Sequence, residues 1–468
     1  MTRAATLGAL RATGHVHRTV KEEVRDNLLA RMRTGQTRFP GIVGFDETVL
    51  PQLERALLAG HDLVLLGERG QGKTRLIRTL VELLDEWTPI IAGSEVREHP
   101  YMPITAASQR LVAEAGEDTP VEWVHRSERY GEKLATPDTS VGDLIGDIDP
   151  VKVAEGRRLG DPETVHYGLV PRTNRGIFAV NELPDLAERI QVALLNVLEE
   201  RDIQIRGYQL RLPLDLLLVA SANPEDYTNR GRIITPLKDR FGAEVRTHYP
   251  LRLEDEVDLV RQEAVLSAHV PDHLLEVVAR FTRQVRESPS VDARSGVSAR
   301  FAVAAAETVA SSALRRSALT GETPAVARFC DVPPVVDTLL GKVEFEVSEE
   351  GNEREVLHHL LRRATVEAFR SRLAASDLPA LLERFDEGLI VESGDLVPGA
   401  RLLEQVGTVQ GLGHIMERLG MDDAVDSPAY AASALEFALE GLFLNRRISK
   451  EEGAGAVGEP GTRTLYGA

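Results

Sequence analysis

The stretch Gly67-Glu68-Arg69-Gly70-Gln71-Gly72-Lys73-Thr74 decides the fold of this chain. It matches the pattern G-x-x-x-x-G-K-[ST], with the apolar run Leu63–Leu66 before it and a segment of helical periodicity after it. Glycines let successive backbone N–H groups point at phosphate oxygens, and the start of the next helix adds partial positive charge. The stretch therefore predicts a strand, a phosphate-binding loop and a helix. The alternative, a glycine-rich turn before a surface helix, leaves the flanking strand unexplained.

The loop pattern also assigns roles to its last two residues. Lys73 is expected to reach the β- and γ-phosphates of a bound nucleoside triphosphate. The hydroxyl of Thr74 is expected to ligate the Mg²⁺ that accompanies those phosphates.

The composition limits the classes of partner. Of the 468 residues, 43% are apolar and 27% are charged, which is ordinary for a chain of about three domains. The formal net charge of −18 argues against a general nucleic-acid or anionic-membrane binder. Met1–Val20 has no sustained apolar core, and no run of about twenty apolar residues occurs. We therefore expect no signal peptide, no membrane span and a cytoplasmic location, which suits the single cysteine, Cys330.

Strand and helix patterns alternate as far as Pro250, and only helical patterns follow. Besides Leu63–Leu66, buried-strand runs occur at Gly176–Val180 and Leu214–Ala220, and a short fourth candidate is Glu244–His248. Two further strand candidates, 89–92 and 102–105, contain prolines that prevent a choice between them. The alternation predicts an α/β fold in which helices flank a parallel sheet, followed by helical regions.

Two polar residues at strand ends are candidates for the hydrolytic step. Glu182 follows a buried strand, where a carboxylate points into the ligand crevice and serves as a base for the attacking water. Asn223 follows the next strand of that kind, where its amide would orient the same water. The alternatives are an acid stabilised by a helix N-terminus for Glu182 and an Asx-turn before Pro224 for Asn223.

Two arginines are candidates for stabilising the charge of the transition state. Arg240, in the sequence Asp239-Arg240-Phe241, would act as a finger supplied to a neighbouring subunit. Arg300 opens a helix after Ser298 and would contact the γ-phosphate from a second domain. For each, the alternative is a surface ion pair, with Asp239 or a nearby acid in the case of Arg240.

An acidic stretch between these motifs has two interpretations. Asp143, Asp147 and Asp149 suggest a metal loop, but their spacing is not that of a calcium-binding hand. A solvated insertion is the favoured interpretation.

Taken together, these motifs resemble AAA+ ATPases of the magnesium-chelatase I-subunit and MoxR group over residues 39–345. Gly67–Thr74 is similar to Walker A, Ile177–Glu182 to Walker B and Asn223 to sensor 1. By this resemblance Arg240 is the arginine finger acting in trans and Arg300 is sensor 2. The resemblance also assigns three further segments, namely an adenine-holding segment at Ile42-Val43-Gly44, an insertion at 139–156 and a hairpin at 203–212.

The resemblance further implies how the protein is organised and used. It implies ATP and Mg²⁺ as cofactors, a homo-oligomeric ring, expected to be a hexamer, and a partner with a von Willebrand factor A domain. The expected divisions are an N-terminal extension at 1–38, an AAA+ α/β core at 39–250, a helical lid at 251–345, a C-terminal helical region at 346–448 and a disordered tail at 449–468.

The expected function is ATP hydrolysis that remodels or activates a partner protein. One alternative is a nucleotide-gated scaffold with weak hydrolysis. Another is an enhancer-binding transcription activator, but the sequence lacks the Gly-Ala-Phe-Thr-Gly-Ala loop expected of that class. Insertion of magnesium into a porphyrin is implied by resemblance alone.

The Walker B segment departs from the family pattern at one position. It ends in Asn181-Glu182, where the pattern has Asp-Glu. The aspartate normally accepts hydrogen bonds from Mg²⁺-bound water, and asparagine keeps an acceptor oxygen but lacks the negative charge. We therefore expect ATP binding to be preserved better than fast hydrolysis, unless another acid compensates.

Overall fold

The computed structural model divides into two compact units, 1–248 and 249–468. It describes residues 3–155, 164–200, 203–205, 208–210, 212–224, 232–292, 296–407, 411–421, 427–454 and 462–468.

The N-terminal unit contains both strands and helices. Its strands are β1 Leu63–Leu66, β2 Trp87–Ile91, β3 Val121–His125, β4 Tyr130–Leu134, β5 Gly146–Ile148, β6 Val165–Tyr167, β7 Gly176–Asn181, β8 Ile203–Ile205, β9 Tyr208–Leu210, β10 Leu216–Ala222 and β11 Ala243–Arg246. Its helices are α1 Leu7–Ala12, α2 Val20–Thr34, α3 Val49–Leu58, α4 Lys73–Thr79, α5 Ala106–Ala115, α6 Val141–Leu144, α7 Pro150–Ala154, α8 Leu169–Arg172, α9 Glu188–Glu200 and α10 Thr235–Arg240.

A five-stranded parallel sheet organises this unit. The strand order is β11-β1-β10-β7-β4, and each neighbouring pair is parallel. Strands β1, β7 and β10 are buried along their whole length, because apolar clusters cover both faces of the sheet. The predicted fold class, a parallel sheet flanked by helices, is therefore confirmed.

The fifth strand of the sheet is one that the sequence patterns did not indicate. Residues 89–91 lie in β2, which pairs antiparallel with β3 outside the main sheet. Residues 102–105 are not a strand, so that candidate was wrong, and Thr105 caps the start of α5. The edge position belongs instead to β4, whose sequence Tyr-Gly-Glu-Lys-Leu is largely polar. An edge strand tolerates such a sequence, and this hides it from a search for apolar runs.

The acidic stretch serves local structure. Asp143 completes a capping box with Ser140 at α6, and Asp149 accepts a hydrogen bond from the N–H of Val151 at the start of α7. Among the described residues, no group of three or more His, Cys, Asp or Glu side chains is placed to hold a metal ion. The predicted hairpin is present as β8 paired antiparallel with β9, although residues 206, 207 and 211 lie outside the described residues.

The predicted N-terminal extension is part of the N-terminal unit. Helix α2 packs its apolar side chains into the cluster on one face of the sheet. Its polar groups bind charged residues that stand directly before strands. Glu23 accepts two hydrogen bonds of 2.7 Å from Arg129, which precedes β4, and the N–H of Val20 donates to Asp215, which precedes β10. Helix α2 therefore closes the amino edge of the sheet.

The C-terminal unit is mainly helical. Its helices are α11 Leu253–Glu263, α12 Asp272–Glu287, α13 Ala299–Thr320, α14 Pro334–Leu339, α15 Glu353–Arg372, α16 Pro379–Asp386, α17 Gly399–Val406, α18 Leu412–Arg418 and α19 Pro428–Leu444. A three-stranded sheet of order β12-β14-β13 completes it, with strands β12 Val391–Gly394, β13 Ser449–Ala454 and β14 Thr462–Gly467.

One hydrophobic core runs through the C-terminal unit. It includes side chains of α12, α13 and α15, and α19 is buried along most of its length. The division into a lid at 251–345 and a C-terminal region at 346–448 stays a prediction, since side chains from both ranges share this core. Every helix in the described part of the chain is too short or too polar to span a lipid bilayer.

The prediction of a disordered tail at 449–468 was wrong for the two strands that form there. Strand β14 pairs antiparallel with both β12 and β13, so distant segments satisfy its backbone hydrogen bonds. Tyr466 is buried and donates a hydrogen bond of 2.7 Å to Glu440. Such pairing compensates for the low apolar content that suggested disorder.

Removing the charge of Glu23 should destabilise the N-terminal unit. The side chains of Glu23 and Arg129 are 4% and 1% exposed, so Glu23→Gln leaves a buried guanidinium without its counter-charge, at a cost of about 3–5 kcal/mol. Both tryptophans, Trp87 and Trp123, lie in this unit, so urea unfolding followed by tryptophan fluorescence reports on it specifically.

The matched control for this variant is Glu117→Gln. It removes an ion pair with Arg11 whose side chains are 59% and 56% exposed, and should cost about 0–1 kcal/mol. Equal losses in the two variants would contradict a special role for the buried pair.

Candidate active site

The phosphate loop lies between β1 and α4 and adopts a conformation that its glycines permit. Gly70 and Gly72 have φ values of 76° and 73°, in the left-handed region. Gly67 is required for a different reason. A Cβ atom at this position would lie 1.9 Å from the Thr247 hydroxyl and 2.3 Å from Oε1 of Gln71. The loop therefore passes close to the segment after β11. A larger residue at position 67 would displace either the loop or that segment.

Two buried polar side chains hold the loop in this shape. Oε1 of Gln71 accepts hydrogen bonds from the N–H of Glu68 at 3.1 Å and from the hydroxyl of Thr247 at 2.9 Å. The N–H of Thr247 in turn donates to the carbonyl of Leu66, the last residue of β1, at 2.7 Å. The sequence pattern included Gln71 as a loop residue, but it contained no signal for the contribution of Thr247.

Lys73 and Thr74 begin helix α4 directly after the loop. The Lys73 side chain is buried, and its Nζ donates to the carbonyls of Gly67 and Glu68, the latter at 2.8 Å. The hydroxyl of Thr74 lies 3.5 Å from Oδ1 of Asn181, the last residue of β7. The two sequence motifs on either side of the predicted metal are therefore adjacent in space.

Glu182 follows Asn181 in a strained backbone conformation. Its φ and ψ are 56° and 49°, a left-handed conformation that is uncommon outside glycine. Its N–H donates to the hydroxyl of Ser221 on β10 at 3.3 Å, and the same hydroxyl donates to Oδ1 of Asn181 at 3.2 Å. Strained non-glycine residues of this kind concentrate at functional sites, because the surrounding structure must hold them in place.

The register of the sheet brings the remaining strand-end residues to the same edge. Leu66 pairs with Ala222, and Val180 pairs with Ala220. Consequently the carboxyl ends of three neighbouring parallel strands lie together. They are followed by Gly67 after β1, Asn223 after β10 and Glu182 after β7. Asn223 is buried there, directly after β10.

The other predicted residues are less closely tied to this edge. Ile42 and Val43 are half-buried, and Ile42 packs against the apolar cluster that contains Leu76 of α4. Arg240, at the end of α10, forms a 2.6 Å ion pair with Glu199 of α9 and is 39% exposed. Arg300 belongs to the C-terminal unit, where it is exposed in the first turn of α13. Their assigned roles stay predictions.

A further acid lies beside the Walker B segment. Glu132 of β4 accepts a hydrogen bond of 2.6 Å from Nδ2 of Asn181. No sequence pattern indicated this residue, because β4 itself was not recognised as a strand.

This set of groups fits Mg²⁺ and the triphosphate of a nucleotide. The loop approaches too closely for a side chain at 67, an ammonium group is buried within it, and a hydroxyl stands beside an amide oxygen. These are a tight backbone cradle, a cation for phosphate and oxygen ligands for a hard metal ion. Glu182 and Asn223 add a carboxylate and an amide at the same edge, as hydrolysis requires.

Comparison with known proteins identifies relatives of the chain. It is 28% identical over 247 residues to the magnesium-chelatase subunit ChlI of Nostoc sp., covering 50% of this chain and 61% of that protein. It is 29% identical over 245 residues to the magnesium-chelatase 38 kDa subunit of Cereibacter sphaeroides, covering 50% of this chain and 65% of that protein. The chain resembles magnesium-chelatase I subunits. The resemblance expected from the motifs is thus confirmed, and the chain spans less than two thirds of each relative's length.

Two other similarities accompany this one. The Sigma-54 interaction domain family matches residues 159–240. A structure of the BchI–BchD complex of magnesium chelatase aligns over 72% of this chain and 96% of that chain, with 20% identity and a TM-score of 0.35. The score is too low to support a functional argument.

Substituting Gly67 tests the shape of the phosphate loop. Gly67→Ala should lower nucleotide affinity by about tenfold or more, corresponding to about 1.4 kcal/mol, because the new methyl group collides with Thr247 and Gln71. Binding of a fluorescent ATP analogue measures the effect. Gly142→Ala is the matched control, since its added Cβ would meet nothing closer than 3.5 Å. Unchanged affinity in Gly67→Ala would show that the loop binds no phosphate.

Proposed function

We propose that this chain is an ATPase that binds and hydrolyses Mg²⁺·ATP at the carboxyl edge of its parallel sheet. The observation that carries the proposal is the meeting of two motifs distant in sequence, with the Thr74 hydroxyl 3.5 Å from the Asn181 amide oxygen. The similarity to magnesium-chelatase subunits over about half the chain supports the same class of activity.

The residues of the site divide the work between binding and positioning. Backbone N–H groups of the loop and the Lys73 ammonium hold the phosphates, while Thr74 supplies a ligand to the metal. When bound, Mg²⁺ neutralises charge that develops on the phosphate oxygens. Glu182 accepts a proton from the attacking water, and Asn223 orients that water from the neighbouring strand.

We propose further that the active site is completed by a neighbouring copy of the chain in a ring, expected to be hexameric. By the same resemblance, Arg240 would act as the finger in trans, and Arg300 as sensor 2. The ion pair between Arg240 and Glu199 is partly exposed, so giving it up costs about 0–1 kcal/mol. Arg240 is therefore able to change partners at little energetic cost.

ATP hydrolysis would remodel or activate a partner protein. A partner carrying a von Willebrand factor A domain is the expected class, by resemblance, and the expected location is the cytoplasm. Porphyrin metallation would be a task of other subunits, because no residue described at this site identifies a porphyrin.

The principal alternative is a nucleotide-gated scaffold with weak hydrolysis. It is favoured by Asn181, which lacks the negative charge of the family's aspartate. A second alternative, a transcription activator, is favoured by the match of the Sigma-54 interaction domain to residues 159–240. The lack of a Gly-Ala-Phe-Thr-Gly-Ala loop in the sequence weighs against it.

Two substitutions separate nucleotide binding from hydrolysis. Lys73→Ala should weaken binding of a fluorescent ATP analogue by about 10–100-fold, because charge-assisted hydrogen bonds to phosphate are lost. Glu182→Gln should retain that binding but lower steady-state ATPase activity by about 100-fold or more, as expected for loss of a general base. Unchanged nucleotide affinity in Lys73→Ala would refute the site, and negligible ATPase activity in the unmodified chain would favour the scaffold.

Mixing inactive variants tests whether Arg240 acts between subunits. Arg240→Ala should lower ATPase activity by about 10³-fold, and mixing it with Glu182→Gln should restore activity at interfaces that combine an intact base with an intact finger. Glu199→Gln is the matched control, because it breaks the same ion pair but keeps the arginine. Equal losses in Arg240→Ala and Glu199→Gln, with no recovery on mixing, would assign the pair to structure alone.

A further inference from the structure

The Asn181 side chain joins the metal side of the site to an acid on the next strand. Its Oδ1 lies 3.5 Å from the hydroxyl of Thr74 and accepts a 3.2 Å hydrogen bond from Ser221. Its Nδ2 donates a 2.6 Å hydrogen bond to Oε1 of Glu132 on β4. One amide group therefore spans the gap between Thr74 and Glu132.

This arrangement fixes which end of the amide faces Thr74. A carboxylate only accepts hydrogen bonds, so Glu132 must face the amide nitrogen of Asn181. Ser221 also keeps the oxygen in place, because its hydroxyl donates to Oδ1 while its own oxygen accepts from the N–H of Glu182. The amide oxygen is consequently directed toward Thr74, the residue assigned to the metal.

The surroundings of Glu132 suit a carboxylate, because its two oxygens accept hydrogen bonds from Arg78, Tyr130 and Asn181. A hydrogen bond to a carboxylate polarises the amide that donates it, so the opposite oxygen gains negative character. The charge that Asn181 lacks is thus present one hydrogen bond away.

The same carboxylate also pairs with Arg78 of α4. The guanidinium donates to its two oxygens at 2.9 and 3.0 Å, so a purely structural role is the competing explanation. The side chain of Arg78 is 62% exposed, however, while that of Glu132 is 21% exposed. Solvent screens the arginine charge more than the carboxylate, which leaves Glu132 able to act on its buried neighbour.

We propose that Glu132 is a positioning residue that supplies, through the Asn181 amide, the negative charge that the Walker B segment lacks for Mg²⁺. This inference rests on the proposed binding of Mg²⁺·ATP. It makes the pair Glu132–Asn181 the functional replacement of a single aspartate, with the charge carried by β4 and the acceptor oxygen by β7.

The experiment measures the affinity of the full chain for a fluorescent ATP analogue, with Mg²⁺ and with EDTA. Glu132→Gln should reduce the tightening of affinity by Mg²⁺ about tenfold, the lower end of effects seen for groups that support metal ligands. Its affinity in EDTA should stay unchanged, since the groups that donate hydrogen bonds to Glu132, namely Arg78, Tyr130 and Asn181, lie outside the phosphate loop. Arg78→Gln is the matched control and should keep the Mg²⁺ effect.

A second variant moves the charge instead of removing it. Asn181→Asp alone would place two carboxylates in contact, so it is combined with Glu132→Gln, which leaves one carboxylate at the position of the family pattern. The double variant should recover the Mg²⁺ effect. Recovery would also show that Glu132→Gln had not unfolded the unit.

The outcomes separate this inference from the proposed function. A chain whose unmodified form binds no nucleotide in either condition would refute the proposed function itself. Normal nucleotide binding together with an equal loss of the Mg²⁺ effect in Arg78→Gln and Glu132→Gln would overturn the inference alone. Loss of binding in EDTA for Glu132→Gln, or no recovery in the double variant, would also assign Glu132 to structure and overturn it.

Discussion

The parallel hydrogen-bond register of β1, β10 and β7 is the constraint on which the site depends. It aligns Leu66 with Ala222 and Ala220 with Val180, so three strands end together. The phosphate loop, Asn223 and Glu182 then leave the sheet at one edge. A slip by one residue would turn each side chain to the other face and disrupt the packing of the apolar clusters there. Packing of the apolar clusters thereby fixes the relative positions of the candidate site residues.

The two edges of this sheet carry different sets of polar groups. At the carboxyl edge, these groups are arranged around the candidate nucleotide site. At the amino edge, charged residues stand immediately before the strands and bind helix α2, as the Lys21–Asp62 and Glu23–Arg129 pairs show. Burial lowers the pKa of Arg175, which precedes β7, to about 10, and the nearby charge of Arg129 adds to the effect. The amino edge therefore holds closely packed charged groups, of which Asp62, Glu23 and Arg129 form ion pairs within the unit. The opposite edge carries the candidate site.

The sequence pattern correctly predicted the strands that are buried on both faces. Strand β1 was predicted with its observed bounds, and β7 and β10 within two residues, because apolar clusters cover both their faces. Strand β4 is a polar edge strand and gave no such signal. The sequence of strands β13 and β14 suggests disorder, because their stability comes from pairing with one another and with β12. The composition of a segment does not indicate which distant strands it will pair with.

The sequence by itself determined the phosphate loop, its Lys73 and Thr74, and the missing charge at Asn181, because these properties belong to residues adjacent in the chain. Only the tertiary structure decided what surrounds them. Thr247 closes over Gly67 because β11 pairs with β1, and Glu132 meets the Asn181 amide because β4 pairs with β7. Both contacts join segments far apart in sequence through strand pairing, which depends on the packing of the whole unit. The acid that we propose compensates for Asn181 was therefore present in the sequence but not recognisable there.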